Sequence, residues 1–253
     1  MIFSDALNLV LNLIYPPKCV FCRKLLEINT KFFFCEKCMD EYKGLIDKVC
    51  CERCGKPIVS FGKERLCYHC LSESHFYCKR IISAFSYEGE VKAALLRFKD
   101  NSIEKYSEVF ASYMFKIFQK EYSSISFNGI VGVPANKKKS LSRVNDPVSL
   151  LCKDISKLSG IPVIKNSLRK TRKTRKQADL SYSERQTNLA HSIKADENLV
   201  KDKTILLVDD VCTTRATLSE CSRALKRAGA KAVYALTLCT TLNKNTDGKD
   251  NNK

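Results

Sequence analysis

The chain has 253 residues, with 44 Lys or Arg against 27 Asp or Glu and a net charge of +17. That length suits one ordinary domain plus a small one, and the hydrophobic content is sufficient for a real core. The apolar runs are too short to cross a bilayer, which excludes a membrane span, and the charge points to anionic partners. The charge is also uneven. Residues 137–176 hold 13 Lys or Arg against two acids, Asp146 and Asp154. Pyrophosphate-bearing substrates and nucleic acid both fit such a segment, and a solvated basic face is the plain alternative.

In chain order, Leu7, Leu11 and Ile14 recur at helical spacing before Tyr15-Pro-Pro17 breaks the pattern. This stretch lacks a basic n-region and carries Asp5, so it reads as an amphipathic helix packed on its own protein, not a signal peptide. The expected location is the cytoplasm. Ten of the 14 Cys lie before residue 79, mostly in pairs with a two-residue gap. In a reducing compartment such pairs point to metal rather than disulfides. Sequence order predicts one zinc on Cys19, Cys22, Cys35 and Cys38, and a second on Cys51, Cys54, Cys67 and Cys70. Gly55 suits the tight turn of a zinc knuckle. Cys50 and Cys78 are spare, and His69 is expected to be exposed. Four protein ligands close a site, so both zincs are expected to be structural.

A second domain is expected from Ile81. Phe85 to Tyr87 reads as a short strand, followed after Gly89 by a helix with Val91, Leu95 and Phe98 on one face. Lys92, Arg97 and Lys99 carry its charge. Tyr106, Phe110, Tyr113 and Ile117 mark a second helix whose aromatic stripe belongs to the core. Asn128 to Pro134 reads as a buried strand. The loop after it, with Lys137, Lys138 and Lys139, sits where ligands bind in open α/β sheets. A helix over Pro147–Leu158 and an apolar Ile161–Ile164 continue the alternation of helix and strand. Ala230 to Leu238 reads as the last strand, and 243–253 as a disordered polar tail.

The most informative stretch runs from Thr204 to Leu218. Ile205 to Val208 is an apolar run suited to a strand buried on both faces. Asp209 and Asp210 end it, a hydroxyl-rich loop follows, and Leu218, Cys221 and Leu225 open a helix that stops near Gly229. Free N–H groups at the loop and helix start suit a phosphate. The two carboxylates suit a pair of ribose hydroxyls.

These residues resemble the phosphoribosyl pyrophosphate (PRPP) motif of type I phosphoribosyltransferases. The resemblance implies that Asp209 and Asp210 take the ribose, and that Val211, Cys212, Thr213, Thr214, Arg215, Ala216 and Thr217 form the phosphate loop. Arg215 stands where the motif usually has Gly, and either adds a charge-assisted contact or narrows the loop. More widely, the chain resembles the ComF family. The match rests on the Pro-Pro-x-Cys turn, the Cys pairs, Cys51-x-x-Cys-Gly-x-Pro57, Lys99, Val133-Pro134 and the acidic-pair loop. It also rests on Lys170, Arg172, Thr174, Gln177, Leu180, Arg185 and Asn188 in a mobile-loop region. The family's Arg-Gly-x-Asn appears here as Arg143-Val-Asn145.

The implied fold is α/β, a type I phosphoribosyltransferase-like parallel sheet flanked by helices and preceded by a small zinc-ribbon module. Residues 1–80 would be the helix and double zinc ribbon, 81–242 the transferase-like domain and 243–253 the tail. The implied ligands are two structural zincs and Mg²⁺ with PRPP or a related phosphoribosyl compound. Lys137 or Lys138, with Arg172 or Arg175, would neutralise the pyrophosphate. The implied process is natural competence and uptake of transforming single-stranded DNA. The alternative is a non-catalytic zinc-containing adaptor that contacts DNA, or competence or recombination proteins.

Overall fold

The computed structural model describes residues 16–27, 30, 33–41, 48–58, 65–72, 76–101, 104–135, 146–171 and 192–242. Four strands form a parallel sheet in the order β1 (Ile81–Ser86), β6 (Ala232–Thr240), β5 (Thr204–Cys212), β2 (Gly129–Gly132). Its inner strands are apolar on both sides because helices cover both faces, as parallel sheets require. On one face α3 (Gly89–Asn101), α4 (Glu104–Tyr122) and α5 (Pro147–Ser159) pack over Ile82, Leu206, Val208 and Leu236. On the other, α7 (Ala216–Arg227), which follows the one-turn helix α6 (Glu197–Val200) and β5, packs over Ile205, Leu207, Val233 and Ala235.

Local chemistry sets the helix ends. Asp146 caps α5 by accepting from the Ser149 amide at 3.0 Å, and Pro147 sits where a missing N–H costs nothing. Gly160, at φ 74°, turns the chain out of that helix. Leu218, Cys221 and Leu225 of α7 are fully buried, as their spacing predicts. The aromatic stripe of α4 is core as well, with Tyr106, Phe110, Tyr113 and Ile117 all buried.

Four stretches differ from the sequence expectation. The first strand spans Ile81–Ser86, starting before Phe85, because its backbone pairs with β6 along that whole length. The acidic pair does not end β5. The strand continues to Cys212, since Asp209, Val211 and Cys212 still have partners on β6. Leu168–Lys170 (β3) pairs antiparallel with Ile193–Ala195 (β4) to form a small two-stranded sheet. Near Ile161–Ile164 only an isolated bridge forms, Val163 to Ile130. The first helix, the loop lysines at 137–139, residues 172–191 and the tail lie outside the described residues.

The cysteine-rich segment is built from turns and two short helices, α1 (Glu36–Glu41) and α2 (Tyr68–Ser72). Its first half joins the main core. Phe21 is fully buried against Phe85, Phe110 and Tyr113 at ring separations of 5.9, 6.2 and 6.0 Å. Arg97 of α3 donates to the Val20 and Phe21 carbonyls at 2.9 and 2.7 Å. The second half leans on the sheet edge, where the Ile81 amide donates to the Arg53 carbonyl at 2.9 Å.

Candidate functional site

The eight paired cysteines gather as two sets of four, Cys19/Cys22/Cys35/Cys38 and Cys51/Cys54/Cys67/Cys70, with the sulfurs of each set within 4.8 Å of one another. Cys22 and Cys35 bring their sulfurs to 3.7 Å, as do Cys54 and Cys67. Zinc–sulfur bonds of about 2.3 Å in a tetrahedron require edges of roughly 3.8 Å. Backbone amides of Cys35 and Cys67 point at the sulfurs of Cys19 and Cys51, at 3.4 and 3.3 Å, as thiolate acceptors invite. Both donor sets therefore fit a structural zinc, in the grouping that sequence order predicts. His69 is exposed and joins neither set. Cys78 is buried outside both clusters. Cys50 is half-buried, and burial, with Glu121 nearby, pushes its thiol up to about 11.

The acidic pair sits at the C-terminal rim of the sheet, the edge where open α/β folds bind ligands. Successive strand residues face opposite sides. Asp210 turns toward α3 and pairs with Lys99 Nζ at 2.7 Å. Burial alone would lower the Lys99 ammonium, but the Asp210 charge outweighs it and holds it above the usual lysine value. Asp209 is 9% exposed on the other side, where its charge reaches Cys221 of α7. Its Oδ1 accepts from the Asp210 amide at 2.9 Å. Burial, and then the Asp210 charge, push the Asp209 carboxyl from 3.8 up to about 8. Lys170 of β3 is near enough for its charge to oppose that rise.

Behind the pair, the Thr241 amide donates to the Cys212 carbonyl at 3.1 Å and pins the start of the loop. The Thr214 hydroxyl oxygen is buried and has no hydrogen-bond partner among the described residues. Arg215 is the first residue before α7 and adopts φ 65°, and no side chain caps the helix. The position thus keeps the left-handed backbone that glycine would take freely, at a cost of about 1–2 kcal/mol for an L-residue. Its side chain is buried and leaves the loop. Nη1 donates to Cys70 Sγ at 2.9 Å, and the guanidinium lies 5.7 Å from the Phe76 ring centre. The loop entrance is therefore not narrowed by this guanidinium.

With that geometry in view, comparison with known proteins is direct. Residues 10–71 match the double zinc ribbon domain, and residues 137–253 match the phosphoribosyl transferase domain. The chain thus joins a double zinc ribbon to a phosphoribosyltransferase domain. It is 25% identical to Competence protein F of Haemophilus influenzae over 221 residues, covering 85% of this chain and 93% of that one. The DNA utilization protein YhgH of Escherichia coli K12 is 26% identical over 233 residues, covering 90% and 98%. Competence protein ComFC of Bacillus subtilis is 26% identical over 208 residues, covering 81% and 82%.

In this chain, Asp209 to Thr217 fall on one strand end, one loop and one helix start, while Lys137 and Arg172 lie outside the described residues. Val211 and Thr213 are half-buried beside the pair, and Cys212 and Ala216 are buried. Residue patterns alone did not single out Lys99 as a partner of the acidic pair. It read as one of several charges on α3, and only its place in the resemblance marked it. Arg97, read the same way, holds the first zinc knuckle instead. Among the described residues, no helix is long and apolar enough to cross a membrane.

Proposed function

We propose that this chain binds Mg²⁺-PRPP, or a closely related phosphoribosyl ligand, across the C-terminal rim of its sheet. One observation carries the reading. A pair of neighbouring carboxyl side chains, one held by an ammonium, stands directly before a loop whose buried Thr214 hydroxyl lacks a partner among the described residues and whose helix start is not capped by the Arg215 side chain. Ribose hydroxyls would donate to Asp209 and Asp210, and Lys99 would be released from its pair to face the anionic ligand. The amides from Thr213 to Thr217 would hold the 5-phosphate. Lys137 and Arg172 are the proposed counter-charges to pyrophosphate as the C1–O bond breaks and a nitrogen acceptor attacks. Catalysis would then rest on positioning and charge stabilisation, with no covalent nucleophile. Mg²⁺, bound mainly by substrate oxygens and water, would supply further charge neutralisation.

Calorimetry with Mg²⁺-PRPP tests the reading. Asp210→Asn should weaken binding about tenfold or more, as expected when a half-buried charged acceptor is lost. Equal affinity in wild type and variant would remove Asp210 from the site. Pyrophosphate release in the presence of candidate amines or bases then separates turnover from binding.

A second role, in competence and handling of single-stranded DNA, is supported by the names of the relatives and by the basic 137–176 segment. DNA binding through that segment should weaken steeply with added salt. Affinity that is flat between low and physiological salt would exclude the segment as the contact surface.

A further inference from the structure

Arg215 touches both functional regions at once. Its backbone opens the helix behind the phosphate loop, and its guanidinium lies buried on the second cysteine cluster. The acceptor it reaches, Cys70 Sγ, is fully buried, and the Cys70 carbonyl is already taken by Arg53. Phe76 covers the guanidinium from another side. A zinc ion holds cysteine ligands as thiolates, so the occupied cluster is a net anion and the Arg215 contact is a charge-assisted hydrogen bond. Partners of this kind orient metal ligands and tune how tightly the metal is held. The same contact keeps a non-glycine residue at φ 65° in the turn that presents the loop amides. Loss of the metal weakens the acceptor, and with it the restraint on that turn.

We propose that Arg215 is a positioning residue that couples zinc occupancy of the Cys51/Cys54/Cys67/Cys70 cluster to the shape of the 213–217 loop. The ligand half of the coupling rests on the phosphoribosyl reading above, and the zinc half does not. Coupling is reciprocal, so zinc strengthens phosphate binding at the loop and the bound phosphate slows loss of that zinc. Among the described residues the first cluster has no such arginine-to-sulfur contact, and it serves as an internal control.

The test uses the full zinc-loaded chain and Arg215→Gly, a variant that accepts positive φ without strain and removes the guanidinium with its Cys70 and Phe76 contacts. Chelator-driven zinc release is followed by pulsed alkylation and peptide mass spectrometry, which reads each cluster separately. Release from the second cluster should be about tenfold faster in R215G, with the first cluster unchanged. Saturating Mg²⁺-PRPP should slow that release in wild type and leave R215G unaffected. Equal release in the two proteins, or equal slowing by ligand, overturns the proposal. If calorimetry shows that wild type does not bind Mg²⁺-PRPP, the phosphoribosyl reading fails, and amide exchange at 213–217 decides the coupling. Faster exchange on zinc removal in wild type, absent in R215G, sustains it. Exchange in wild type that ignores zinc overturns it.

Discussion

The two cysteine clusters have the same four-sulfur donor set and sit in different surroundings. The cluster around Cys19 has one exposed member, Cys22, and its knuckle carries Val20 and Phe21 into the core beneath α3 and α4. The cluster around Cys51 is buried throughout and meets the rest of the chain through polar and backbone contacts. Those contacts include the Arg53 carbonyl to β1 and the Arg215 guanidinium to Cys70. Identical metal chemistry thus serves two ends. The first cluster shapes a loop that adds apolar surface to the core, and the second is fastened to the sheet edge and to the candidate site.

The comparison breaks most readily at Phe21. Phe21→Ala empties a fully buried position between three aromatic rings and should cost about 3–5 kcal/mol in urea unfolding. Zinc release from the second cluster should stay unchanged. A loss below about 1 kcal/mol would mean that the first knuckle is not part of the folding core.

The matching lesion on the other side is Gly55→Ala. A Cβ there would stand 2.5 Å from the Ile81 carbonyl oxygen, on backbone held at φ 68°. The expected cost is about 1–3 kcal/mol, with faster zinc release confined to the second cluster. Equal acceleration at both clusters would show that they unfold as one unit.

The smallest effect sharpens the contrast by leaving both clusters alone. The Asp209 carboxyl is raised from 3.8 to about 8 in the folded chain. A raised folded value means that its contribution to stability is complete below 3.8 and is lost as pH rises through about 8. Ligand-free wild type should therefore lose stability from pH 6 to 8, at no more than about 1.4 kcal/mol per pH unit from this group, and level off above. Asp209→Asn should lack that slope in thermal melts. Parallel curves for the two proteins would show that Asp209 titrates normally.

Much of this was legible in the residues. Two-residue gaps fix which two sulfurs share a turn, because a C-x-x-C turn is local geometry, and sequence order suggested how the turns combine; the structure supplies the grouping into two sets of four. The apolar Ile205–Val208 run, the acidic pair and the periodicity of α7 likewise located the strand, rim and helix. The length of β5 was not legible, because its pairing to β6 past Asp209 depends on a partner more than twenty residues away. The same holds for the β3–β4 pair, whose strands are too short to show a pattern of their own.

By itself, then, the sequence determined the main strands and helices, the C-x-x-C pairs and the position of the candidate phosphosugar loop. Each of these follows from spacing along the chain. Only the tertiary structure decided that Lys99 closes on Asp210, that Arg97 clamps the first knuckle and that Arg215 turns from the loop to Cys70. Long cationic side chains reach in many directions, and the acceptor each one meets is set by elements brought together from distant parts of the chain.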